Sequence, residues 1–193
     1  MTLNDRSTPL SLLETRRSGS PREMVGPGPS QAELRQMLEI ATRTPDHGRL
    51  VPYRFVTVAT EQRGDLEALY ARALRIADPD ASETKVAKSV ANAHAAPTLV
   101  VLIFSPRSDH KIPPFEQELT CGAVGMNLLH AAHALGFVGG WITGWPAYDP
   151  TVAAAFCEKS ERIAGFFYFG QPGSPLVERD RPSLDSISSS WQP

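Results

Sequence analysis

A chain of 193 residues with 19 basic and 21 acidic side chains, a formal charge of −2 and 41% hydrophobic residues suits one domain with its own core. So even a charge balance gives no bulk attraction to nucleic acid or to an anionic membrane, and neither is expected as a partner. Apolar runs such as Leu99–Phe104 fall far short of the roughly 20 residues that span a bilayer, and the N-terminus lacks a basic-then-apolar signal pattern, so the expected location is cytoplasmic.

Residues 1–8 are polar and expected to be loose, and Pro9 opens a short helix over 9–17 with Leu10 and Leu13 on one side. The breaker-rich SGSPREMVGPGP connects this helix to the next. Ser30 with Glu33 three residues on forms a capping box, and Leu34, Met37, Leu38 and Ala41 follow at helical spacing, with the helix ending before Pro45. YRFVTVA predicts a strand, residues 65–76 and 82–95 predict helices, and TLVVLIF predicts a strand buried on both faces. The longest helix spans 115–135, closed by Gly136, and Gly122, Ala123, Gly125 and Ala131 make it slim along one flank, able to lie close to another helix. After GFVGGWITG come a helix capped by Asp149 with Pro150 at its first position, the strand IAGFFYFG and a Pro/Ser-rich tail over 171–193. The class is α+β in a single domain over 1–193. Cys121 and Cys157 are solitary, with no CxxC, and are expected to stay reduced.

Four places could carry chemistry. Arg16, Arg17 and Ser18 suit a phosphate through forked charged donors and a hydroxyl, although arginines at a helix C-terminus also complement its dipole. In TRTPDHGRLVPYRF, Pro45 and Pro52 stiffen a loop from which Arg43, His47 and Arg49 project. That frame could aim donors at a planar ligand, or be a helix-stop turn in which Asp46 caps backbone amides. In GFVGGWITG the glycines admit close backbone approach and Trp141 offers a flat wall, but a buried strand with packing glycines reads equally well, and GxGxxG is absent. His130 and His133 stand at i, i+3 without HExxH or a carboxylate at ligand spacing, so no metal is expected, and no GxSxG marks a nucleophile.

Taken in order, the helix ending in RRS, the run into R-x-P-D-H and P-Y-R-F, the helix opening with EQE and rich in small residues, GF-x-G-x-W and the late GFFYFG-x-P resemble the nitroreductase family of flavoproteins, especially its minimal YdjA-like members. The likeness covers roughly residues 10–175. It implies a central, mostly antiparallel sheet flanked by helices, in an intertwined homodimer with two FMN sites at its interface. By that resemblance Arg16, Arg17 and Ser18 hold the FMN phosphate and ribityl end, Trp141, Ile142 and Thr143 line the flavin of their own chain, and Arg43 and His47 reach the flavin of the partner. Ala131, Ala132, His133, Ala134, Leu135 and Gly136 would bind the nicotinamide cofactor, and Arg181, with Arg179 nearly as well placed, would reach the phosphate from the tail. Arg49, Val51 and Tyr53 depart from the Asn, Gln and Trp often found in such proteins, so the resemblance does not carry over the usual amide contacts to the ring.

The reaction so implied passes a hydride from NADH or NADPH to FMN and then electrons to a nitro compound, a quinone or a related small-molecule acceptor. It names no catalytic acid. The rival is a protein that stores or senses a flavin without turnover.

Overall fold

The computed structural model describes residues 2–192, and every statement below concerns those residues. Strands β2 (Tyr53–Val58), β3 (Thr98–Phe104) and β5 (Arg162–Pro172) lie side by side, antiparallel throughout, with β2 at one edge. The other side of β5 is shared by β4 (Val138–Ile142) and the two-residue β1 (Met24–Val25), also antiparallel.

The pleat of β3 divides the core. Leu99, Val101 and Ile103 face one way, with Phe166 and Tyr168 of β5, and are covered by α3 (Arg63–Ala77), α4 (Glu83–Val90) and α6 (Pro150–Phe156). Val100, Leu102 and Phe104 face the other way, with Phe167 and Phe169, beneath α2 (Gln31–Ala41) and α5 (Pro114–Ala134). The sheet is thus covered on both sides, as its continuous apolar runs imply.

Capping signals set helix starts where the residues indicate. Ser30 and Glu33 form the reciprocal capping box of α2, and Asp149 accepts from the backbone N–H groups of Thr151 and Val152 at the start of α6. Helix ends differ more. The segment expected as one helix to residue 95 leaves α-helix after Val90, because tertiary donors take the following carbonyls: Tyr168 Oη donates to Asn92 (2.9 Å) and Arg63 Nη1 to Ala93 (2.9 Å).

Helix α1 runs Pro9–Thr15, two residues shorter than expected, since Arg17 N–H donates instead to Asn4 Oδ1 at 2.7 Å. The N-terminal residues are therefore tied in rather than loose: Asn4 Nδ2 donates to the Arg17 carbonyl and Asp5 N–H to Thr15 Oγ1. Leu12 and Thr15 are buried, and Leu10 and Leu13 lie on the outside.

Candidate functional site

Two of the sequence candidates lie against each other. Past α1 the chain turns extended, and Gly19 N–H donates to the Gly139 carbonyl at 3.2 Å, laying Arg16–Ser18 beside β4. A β-carbon on Gly140 would stand 2.8 Å from the Gly19 carbonyl oxygen, so the glycines of β4 admit this segment of the same chain, not only a ligand. Between them opens a cleft of about 510 Å³ lined by Arg17, Ser18, Trp141, Ile142, Val177 and Arg179 among others. The tail supplies its far wall. Gly173 N–H donates to the Glu23 carbonyl at 2.8 Å, and the Val177 carbonyl accepts from Arg17 Nε at 2.7 Å.

The electrostatics of this corner are one-sided. Partial burial lowers the pKa of the Arg16 guanidinium, and the charges of Arg181 and Arg17 lower it further, with Glu178 opposing them. Burial and then Arg179 do the same to Arg17. Arg16 Nη1 reaches Ser18 Oγ at 3.4 Å, so the two donors converge. Of the two tail arginines, Arg179 lines the cleft while Arg181 is paired with Glu178 at 2.8 Å. Four guanidiniums against two carboxylates, Glu178 and the cleft-lining Glu23, leave a net positive corner that an anion with several acceptor oxygens would relieve.

Trp141 is the fixed wall. It pairs across the sheet with Phe167, the rings stacked 4.9 Å apart and inclined by 29°. Its Nε1–H donates to the Ala164 carbonyl at 3.1 Å. Ala164 is the extra residue where β5 slips register against β3, between the pairs Leu102 with Gly165 and Ile103 with Ile163, so this carbonyl lies where the ladder is disrupted. Gly165 and Gly125 leave the room: a β-carbon would stand 2.0 Å from the indole Nε1 at the first and 3.1 Å from Cζ3 at the second. The slim flank of α5 is thus filled at Gly125 by an indole of its own chain, while Gly122 faces open space. On its other side Trp141 borders a second cleft of about 650 Å³, with Thr143, Cys121, Tyr148 and Arg162 on its walls. Burial pushes the Cys121 thiol up to about 12, which keeps it protonated and inert as a nucleophile.

The loop over 42–52 stands apart. Neither Arg43 nor His47 lines either cleft; both are exposed. Asp46 does cap the backbone, accepting from Leu50 N–H at 3.2 Å and Val51 N–H at 2.8 Å, and His47 Nδ1 meets Glu116 Oε2 at 2.6 Å.

The stretch expected to hold a nicotinamide cofactor sits elsewhere. Ala131, Ala132 and His133 are buried under the sheet, and His133 Nε2 accepts from Gly139 N–H at 3.2 Å. Burial drives the His133 pKa down to about 3, so it is a neutral core imidazole. Ala134, Leu135 and Gly136 close the helix away from both clefts, with Arg6 beside Gly136. Of these six residues the first three pack into the core, while Ala134 is exposed and Leu135 and Gly136 are partly exposed at the helix end.

With this geometry in view, the match to known proteins is direct: the model of the nitroreductase family covers residues 14–171. The chain belongs to the nitroreductase family. It is similar to the Escherichia coli K12 protein described as "Putative NAD(P)H nitroreductase YdjA", 33% identical over 164 residues that make up 84% of this chain and 87% of that one. Among solved structures it resembles a nitroreductase-like family protein from Bacillus cereus, with a TM-score of 0.81 at 18% identity over 100% of this chain and 99% of the other. It also resembles the NADPH:FMN oxidoreductase of Vibrio harveyi complexed with NAD+, with a TM-score of 0.66 at 16% identity over 92% of this chain and 75% of the other. The α+β fold of this family is the one the sheet displays, antiparallel with helices on both faces.

Proposed function

We propose that this nitroreductase-family chain is an FMN-dependent NAD(P)H oxidoreductase that works as a homodimer, reducing nitro compounds, quinones or related acceptors. One observation carries the reading: a cleft that joins an end where arginines outnumber carboxylates, Arg17 and Arg179 on its wall with Arg16 and Arg181 behind them against Glu23 and Glu178, to a fixed aromatic wall within one chain. That is the polarity of FMN, a dianionic phosphate at one end and a flat ring system at the other. Arg16, Arg17, Ser18 and Arg179 would hold the phosphate, with Arg181 behind them, and Trp141, Ile142 and Thr143 the ring. The E. coli and Vibrio relatives, by their descriptions, supply the nicotinamide donor and FMN.

Bound FMN would supply hydride acceptance and electron transfer; the chain's own residues bind, orient and exclude water. Arg43 and His47, outside both clefts of their own chain, would complete the site of the second copy. Exposed Phe115 and Leu119 on α5 and Leu10 and Leu13 on α1 supply apolar surface for that association.

Absorbance of the purified protein tests flavin binding, and bleaching by NAD(P)H with recovery on adding an acceptor separates an enzyme from a flavin store. Shared sites have their own test. Heterodimers of an Arg16→Ala chain and a His47→Ala chain contain one doubly damaged site and one intact site, so random exchange should restore about a quarter of wild-type sites. Recovery no greater than the mean of the two parents refutes sharing.

A further inference from the structure

The loop over 42–52 is anchored without His47. Thr120 Oγ1 donates to the Pro45 carbonyl (3.2 Å), Asn127 Nδ2 to Thr44 Oγ1 (2.7 Å), and Asp46 holds two backbone amides. A contact between His47 and Glu116 is therefore superfluous as a latch, yet it is shorter than any of these, 2.6 Å from Nδ1 to Oε2. A carboxylate only accepts, so the proton of that bond is on Nδ1. In the neutral imidazole the other nitrogen, Nε2, is then bare. It makes no hydrogen bond among the described residues, on a side chain 66% exposed.

We propose that Glu116 is a positioning residue for His47: by accepting Nδ1–H it sets the imidazole as an Nε2 acceptor, presented to a ring N–H of the flavin held by the second copy. This rests on the reading above that His47 serves the other chain's site. The chemistry fits a single donor. Oxidised isoalloxazine carries one N–H, the imide at N3, flanked by two carbonyl oxygens. A bare imidazole nitrogen complements that N–H, whereas the Nε2–H tautomer that free histidine prefers would have to be turned onto a carbonyl instead. Glu116 sits in the first turn of the 21-residue α5, where the helix end favours a carboxylate and the backbone is rigid, so the aim of His47 is set by an element rather than by a loop.

The test is ¹⁵N NMR of the full-length protein labelled on histidine, at a pH of about 9, where an imidazole is neutral. Wild type should show His47 with a pyrrole-type Nδ1 and a pyridine-type Nε2. Glu116→Ala should move it toward the opposite tautomer, and Glu116→Gln, whose amide oxygen accepts the same N–H, should retain it. A wild-type His47 protonated on Nε2, or a tautomer unmoved in Glu116→Ala, overturns the proposal. A titration with FMN and with 3-methyl-FMN tests the ligand half. Methylation should weaken binding at least tenfold to wild type and less than threefold to His47→Ala. An equal penalty in both refutes the N3 contact. A wild type that binds neither flavin refutes the function proposed above instead, and the tautomer experiment then decides the hold of Glu116 on His47 by itself.

Discussion

Arg16→Ala separates a binding charge from a structural one. In the flavin-free protein Arg16 makes one long hydrogen bond, to Ser18 at 3.4 Å, and is pressed by the charges of Arg181 and Arg17. Losing the first costs little and losing the second relieves repulsion, so stability without ligand should change by no more than about 0.5 kcal/mol. The phosphate of FMN reverses the balance. Charge-assisted hydrogen bonds contribute about 1.5–3 kcal/mol each, so FMN affinity should fall about 10- to 150-fold. Fluorescence titration of the flavin-free variant measures the affinity, and a urea melt of the same sample measures the stability. Inorganic phosphate offers a second reading, since a ligand that binds only the folded state raises the melting temperature with its concentration, and it should do so less for the variant. Arg17 is a poorer choice because its Nε also anchors the tail at Val177. An unchanged FMN affinity together with a large loss of stability would show that Arg16 is a structural cation and that the anion site is misplaced.

Three further outcomes follow from single contacts. Gly125→Ala puts a β-carbon 2.8 Å from Phe167 Cζ and 3.1 Å from the Trp141 ring; we expect a loss of about 1–3 kcal/mol in a denaturant melt and weaker FMN binding as the indole is displaced. Asp46→Ala frees the amides of Leu50 and Val51 at a cost of about 1–2 kcal/mol, and it should lower flavin affinity from a position outside both clefts, read by the same titration. The hydrogen bond from Arg54 holds the nearly buried Glu161 carboxyl at about 2, against an ordinary 4.5. The stabilisation is present above about pH 4.5 and is lost as pH falls through about 2, so the gap in stability between wild type and Glu161→Gln, about 1–3 kcal/mol at pH 7 after screening at the half-open Arg54, should close over that window.

Local signals were legible where they are self-contained. The capping box at Ser30 and Glu33, the Asp149-Pro150 start and the six consecutive apolar residues of β3 each specify their element within a few positions. Features that depend on register were not. The bulge at Ala164 leaves a carbonyl for Trp141, and nothing in IAGFFYFG marks which residue is unpaired. In α1, Leu10 and Leu13 at i, i+3 mark one side without saying whether it turns inward, and Leu12 and Thr15 take the buried side. The short run from Ala131 to Gly136 reads as an amphipathic helix end with a histidine, and only the sheet beneath shows that His133 is a core residue hydrogen-bonded to β4.

The stiffness of the loop over 42–52 has a cost that its own chain does not recover. Gly48, Arg49 and Val51 all adopt left-handed backbone, with φ of 74°, 53° and 50°, and Val51 is β-branched, where such a conformation is a genuine outlier. Strain of this kind amounts to about 1–3 kcal/mol per residue and persists only where the surroundings over-determine it. Here they do: Asp46 clamps two amides, Arg107 Nε donates to the Leu50 carbonyl at 3.2 Å, and Thr120 and Asn127 fasten the loop to α5. Four anchors hold a segment from which Arg43 and His47 project, exposed and lining neither of the two clefts described above. Joining α2 to β2 does not by itself require left-handed backbone at Arg49 and Val51. The strain makes sense if the geometry matters at a surface presented to another molecule, and the homodimer proposed above supplies one, a second copy whose Trp141 and Thr143 border an open cleft.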